Sequence, residues 1–183
     1  MINVAESIFI IVFGTLGHFI FEWSGHRKWA GMLFAVNEST WEHIKLTIYP
    51  AFVLLAAEAA FSGLSRTAVI ARFAGMAVTM VAVPALFYGY TAITKKNWLW
   101  SDIICFILSV LAGSAMRGLV LESGTESVAL FVISLTGLAA ILVMYLTFSY
   151  RPPFIFLFKD PVSGGYGPTG HGCHTHFHNS KIV

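Results

Sequence analysis

His18 and Glu22 stand four residues apart in an apolar run near the start of the chain. That spacing puts two side chains on one face of a helix, one turn from each other. An imidazole nitrogen and a carboxylate oxygen so placed can ligate one metal ion, each about 2.0–2.2 Å from a zinc. Gly14 and Thr15 continue the same face inward as a narrow polar groove. Glu22 has a second reading, as an ion-pair partner of Arg27 or Lys28. The string Asn37-Glu38-Ser39-Thr40-Trp41-Glu42-His43 follows and is the most distinctive in the chain. Ser39 and Glu42 have the spacing of a capping box, in which Ser39 caps a helix and Glu42 reaches back to the cap amide. Glu38 and His43 are not needed for that cap. A short connector would fold the two helices into an antiparallel hairpin and bring His18 and Glu22 near Glu42 and His43. His18, Glu22, Glu38, Glu42 and His43 are therefore candidate ligands for a divalent transition metal of zinc, manganese or iron type. Asn37, Tyr88, Tyr90 and Asp102 are expected at the same level, as hydrogen-bonding supports for the ligands or as a proton relay.

A second set of soft and borderline ligands lies in His171-Gly172-Cys173-His174-Thr175-His176-Phe177-His178. On a Gly-rich segment, His171, Cys173, His174, His176 and His178 suit zinc, nickel or copper. Such a segment reads either as a metal-delivery arm or as a solvated terminus. A third set, Glu6, Glu58, Arg72 and Arg117, is balanced in charge and falls near the other ends of the apolar runs. These four could neutralise one another inside a helix bundle, and an ion path is the competing reading. Each charge at membrane depth costs at least about 2.5–3.5 kcal/mol, so it needs a partner or a function.

The elements that must hold these residues follow from composition. Of 183 residues, 57% are hydrophobic and 11% charged, with a mean hydropathy of +0.76. A soluble domain carries about 25% charged residues, so this chain cannot cover a water-facing surface. A net charge of +2 offers no basic surface for nucleic acid. A bilayer core about 30 Å thick requires roughly 20 apolar residues per helix. Five runs meet that length: Val4 to Trp23, Ile44 to Ser62, Thr67 to Ala92, Ser101 to Leu121 and Ser127 to Ser149. The fold expected is an all-α, polytopic membrane bundle of five transmembrane helices over residues 1–149. Residues 150–183 would form an interfacial segment and a His- and Gly-rich tail. Ser62-Gly63, Ser101-Asp102 and Ser123-Gly124 are expected at helix ends, and Pro50 and Pro84 inside spans. Cys105 and Cys173 lie in unlike surroundings and do not read as a disulfide.

Basic residues are distributed unevenly between the two sets of connectors, and that bias sets orientation. Arg27, Lys28, Lys45, Lys95, Lys96, Arg151, Lys159 and Lys181 fall on one side, against Arg66 with Arg72 and Arg117 on the other. The amino terminus is thus expected outside and the tail in the cytoplasm, in the cell's inner, cytoplasmic membrane. Trp23, Trp29, Trp41, Trp98 and Trp100 would form one aromatic belt on the cytoplasmic side. The partners expected are the lipid bilayer and a metal ion, with no nucleic acid. Homo-oligomerisation is compatible with a bundle of this size, although no span has a strong small-xxx-small face.

The Asn37 to His43 string with Lys45, the Gly14-x-x-Gly17-His18-x-x-x-Glu22 helix, and Phe158-Lys159-Asp160-Pro161-x-x-Gly164-x-Tyr166-Gly167 together resemble a family of small prokaryotic multi-pass membrane proteins of unknown function. More weakly, the acidic residue with Asn and Ser near the start of a span is similar to the alkaline ceramidase and adiponectin-receptor superfamily of membrane zinc hydrolases. That superfamily has seven spans and an intramembrane His-x-x-x-His pair, where this chain has five spans and no such pair.

Three functional readings follow. In the first, the chain binds and moves or handles a divalent metal at the cytoplasmic end of its first two long helices. In the second, the same site is that of a membrane-embedded, metal-dependent hydrolase acting on a lipid, with Glu38 or Glu42 as general base. The third reading is a non-catalytic structural subunit. No G-x-S-x-G nucleophile motif is present, so a serine hydrolase is disfavoured.

Overall fold

The computed structural model describes residues 2–170, and the tail ligands His171, Cys173, His174, His176 and His178 lie outside the described residues. The long elements of the described chain are all helices: α1 (Val4–Trp23), α2 (Lys28–Leu33), α3 (Thr40–Phe61), α4 (Arg66–Thr94), α5 (Leu99–Ser123) and α6 (Val128–Phe148). A 3-10 turn over Phe156–Phe158 and a single bridge between Lys159 and Tyr166 follow. All but α2 are long and apolar enough to cross a membrane.

Local chemistry sets most helix ends. The side chains of Asn3, Ser39, Ser65 and Ser127 accept the amides of Glu6, Glu42, Ala68 and Leu130 at the starts of α1, α3, α4 and α6. Ser62 and Gly124 close α3 and α5. Two expected caps differ. The helix α5 starts at Leu99, before Ser101-Asp102, with Trp98 at the cap position and no side-chain cap, and the Asp102 carboxylate accepts the Tyr90 hydroxyl instead. At α3 the reciprocal half of the capping box is absent: Asn37 Oδ1 accepts the Ser39 amide at 2.9 Å, and the Glu42 side chain turns into the bundle.

Long helices that follow one another in the chain pack together: α1 against α3, α3 against α4 and α4 against α5, while α6 also packs on α4. On α1, Ile8, Val12, Leu16, Phe19 and Trp23 form an exposed apolar stripe suited to lipid, while Ile10, Gly14, Gly17 and Phe21 face inward. Gly14 is required for the close approach to α3, since a Cβ there would stand 2.6 Å from the Leu46 carbonyl oxygen. This contact sets the distance between α1 and α3. Thr15, by contrast, is exposed and bonds back to the Ile11 carbonyl, so it does not extend the polar groove inward.

Of the eight basic residues assigned to one side, Arg27, Lys28, Lys95, Lys96, Arg151 and Lys159 are exposed, Lys45 is fully buried, and Lys181 lies outside the described residues. Trp23, Trp29, Trp98 and Trp100 are exposed at the same end. Trp41 leaves that belt for the interior, where it stacks on Tyr145 at 5.0 Å and tilts against Phe158 at 4.7 Å. Phe158 belongs to the segment after α6, so residues 150–168 fold back as a strap across this end of the bundle.

Candidate metal centre

Three of the five expected ligands converge. His18 comes from the last turns of α1, His43 from the first turn of α3, and Glu38 from the loop that enters α3. Glu38 Oε2 is 3.4 Å from His18 Nε2 and 3.7 Å from His43 Nε2, and one ligand atom from each residue lies within 4.8 Å of the others. Tetrahedral zinc with bonds of about 2.0–2.1 Å sets its ligand atoms roughly 3.4 Å apart. The two contacts to Glu38 are close to that spacing, and the two imidazoles would close to it from a separation of at most 4.8 Å. His43 Nδ1 is 3.0 Å from the Ser39 carbonyl. A proton on Nδ1 donated to that carbonyl leaves the Nε2 lone pair facing Glu38, the arrangement in which metal-bound histidines are usually held. The two imidazoles meet edge to face at 5.5 Å. All three side chains are half-buried.

The other two expected ligands are placed elsewhere. Glu22 lines a cavity of about 150 Å³ beside the trio, together with His18, Phe19, Ala35, Asn37 and Glu38, but does not join the cluster. Glu42 points away into a buried knot. Its Oε2 accepts the Val36 amide at 3.1 Å and the Lys45 ammonium at 2.9 Å, and its Oε1 accepts the Ser149 hydroxyl at 2.7 Å. Lys45 also donates to the carbonyls of Gly31 and Phe34 and to Ser149 Oγ, at 2.9, 2.8 and 2.6 Å. A buried charge is tolerable only when paired and fully hydrogen-bonded, and this knot meets that condition. It ties the α2 region, α3 and the end of α6 together directly behind the metal candidates. Lys45 lies three residues beyond Glu42 in an apolar span, which was a signal for such a pair. Ser149 carried none.

The expected supports divide as well. Asn37 lines the cavity, and its Nδ2 donates to the Gly167 carbonyl at 3.1 Å, which holds the strap against the loop. Tyr88 pairs with Thr40 at 2.9 Å in the first turn of α3. The Tyr90 hydroxyl lies against both the Asp102 carboxylate and Asn97 Oδ1, the latter at 2.8 Å, and its one proton is shared between them, forming a separate cluster at the α4–α5 turn. Tyr150 donates to the Lys28 carbonyl at 3.1 Å. Burial and the Glu42 carboxylate push its phenol above the ordinary tyrosine range, which keeps it a donor.

At the far end, Glu6, Glu58, Arg72 and Arg117 form a closed network. Each guanidinium contacts both carboxylates; the Arg72–Glu58 and Arg117–Glu6 separations are 2.9 and 2.8 Å. Next to it Thr47, Thr79 and Ser114 line a cavity of about 20 Å³. That is room for about one water, so this end has the dimensions of a packing device.

One family model, described as a family of unknown function (DUF6512), matches residues 2–168. No curated protein and no solved structure matches. The matched stretch contains His18, Glu38, His43 and the Asn37–Gly167 pair, and it stops short of the histidine-rich segment.

Proposed function

The chain belongs to this family of unknown function, and from the site itself we propose that it binds a divalent transition metal, zinc or a close neighbour, at one edge of the membrane bundle and handles it there. The observation that carries the reading is the approach of His18 Nε2, Glu38 Oε2 and His43 Nε2, with His43 oriented by Ser39. Two imidazoles and one carboxylate suit zinc, manganese or iron and leave at least one coordination position open. A hydrolytic reading is favoured by one feature, the cavity beside the trio with Glu22 on its wall. There a metal-activated water would have Glu22 as its acceptor, in place of Glu42, which the Lys45 pair consumes.

The test is metal content after zinc loading and gel filtration. It uses full-length protein with Cys173→Ser and with His171, His174, His176 and His178 changed to Gln, so that only the bundle can contribute. One zinc per chain, lost in His18→Ala and in His43→Ala, is expected. Absence of stoichiometric zinc, or zinc indifferent to both substitutions, would overturn the reading.

A further inference from the structure

We propose that the charge network at the far end of the bundle is built around one buried water molecule, bound by the side chains of Arg72, Arg117 and Ser114. The inference stands apart from the metal site. Its first support is a set of buried donors that no protein acceptor satisfies. Arg72, Ser114 and Arg117 are only 2, 7 and 9% exposed. The terminal nitrogens of both guanidiniums hold the Glu6 and Glu58 carboxylates. Arg72 Nε, Arg117 Nε and Ser114 Oγ, in contrast, have no hydrogen-bond partner among the described residues. A helical serine can bond back to the carbonyl one turn earlier, and in the same helix Ser109 does so, to Cys105 at 2.7 Å. Ser114 does not. An unmet donor is costly in any interior and more so at membrane depth, where bulk water is absent. All three residues line the same cavity between α1, α3, α4 and α5.

The second support is size. The cavity measures about 20 Å³, enough for one water at roughly 10–15 Å³ and too little for two. The third is the balance of donors and acceptors on its wall. The Thr47 hydroxyl donates to the Ile44 carbonyl at 2.8 Å and the Thr79 hydroxyl to the Gly75 carbonyl at 3.0 Å. Their protons are used, so each oxygen is left as an acceptor. Both line the cavity, as does Glu6. Water brings two lone pairs for the unmet donors and two protons for these acceptors, and a buried water makes about three such bonds. Three donors alone would equally suit a halide. Charge decides between them: two arginines and two glutamates sum to zero, so an anion would bring a net charge to membrane depth, where a single charge is expensive. A neutral guest adds none.

The experiment is a rotating-frame Overhauser measurement on full-length protein in detergent micelles, with heavy-nitrogen-labelled arginine. Direct dipolar cross peaks from the water resonance to the Nε protons of Arg72 and Arg117 are expected, assigned by their loss in Arg72→Lys and in Arg117→Lys. They should be unchanged when bromide replaces chloride in the buffer. Ala51→Val fills the cavity from its apolar side and leaves every polar group in place. It should erase both cross peaks and lower the unfolding midpoint, whereas filling a dry void usually raises it. Ser114→Val fills the cavity from α5 instead and should also erase the peaks, which keeps the test open if either variant fails to fold. Absence of the cross peaks in the wild type would overturn the inference. So would Nε resonances that move when bromide replaces chloride, which would mean an anion, or an Ala51→Val midpoint above that of the wild type, which would mean a dry void. None of these readouts involves zinc, so the outcome is separate from that of the metal site.

Discussion

Replacing Lys45 by methionine keeps most of the aliphatic stem and removes the ammonium. The side chain is fully buried, and its three N–H donors are shared among four surrounding acceptors: the carbonyls of Gly31 and Phe34, Glu42 Oε2 and Ser149 Oγ. Glu42, only 2% exposed, would lose its counter-charge. Breaking a buried ion pair from one side costs about 3–5 kcal/mol, because the remaining charge has no partner. At roughly 2–4 °C per kcal/mol for a chain of this size, the unfolding midpoint should fall by about 6–20 °C. Adding Glu42→Gln removes the orphan charge, so the double variant should unfold at a higher temperature than Lys45→Met alone. It should not reach the wild type, since the Gly31 and Phe34 carbonyls still lack their donor at about 1–3 kcal/mol each. The assay is thermal loss of helical circular dichroism in detergent micelles. A Lys45→Met midpoint within about 2–4 °C of wild type, about 1 kcal/mol, would refute the reasoning. So would a double variant that unfolds lower than either single change.

Three further outcomes follow from the same geometry. Arg72→Met leaves Glu6 with Arg117 alone and strips one guanidinium from Glu58, so it should destabilise by about 3 kcal/mol or more, with zinc content of the folded fraction unchanged. Gly14→Leu drives a side chain against the Leu46 carbonyl and Phe106; overpacking of this kind costs about 1–3 kcal/mol, and by prising α1 from α3 it should also weaken zinc binding through His18. Glu22→Gln alters the cavity wall but not the trio, so it should retain the metal and shift the unfolding midpoint by less than about 2 °C, within the usual ±0.5 kcal/mol of an exposed change.

The parts of this molecule that depend on local sequence could be read from it, and the parts that depend on distant pairing could not. Span lengths follow from runs of apolar residues, and all five long helices lie where those runs do, with ends shifted by a few residues. The meeting of His18 with His43 follows from a small residue at Gly14 and a connector that returns the chain to the same end of the bundle. The orientation of Glu42 does not, because its partner Ser149 is 107 residues away and nothing in the periodicity around position 149 marks it. The same limit hid the Asn37–Gly167 bond, which spans 130 residues, and the burial of Trp41 under a strap that composition alone assigns to an interfacial segment. Lys45 illustrates a different error. Counted as a basic loop residue it supports an orientation, but in the bundle it neutralises a carboxylate and adds nothing to the surface. The helix α2 has no side-chain cap and only six residues, too few for a periodic signal.

The most direct measurement is X-ray absorption at the zinc edge on the tail-substituted, full-length protein loaded with one equivalent. Two imidazoles and a carboxylate predict a first shell of nitrogen and oxygen at about 2.0–2.1 Å, with imidazole outer-shell scattering that diminishes in His43→Ala and in His18→Ala. A shell of oxygen alone, or imidazole scattering that persists in both variants, would contradict a metal site built from His18, Glu38 and His43.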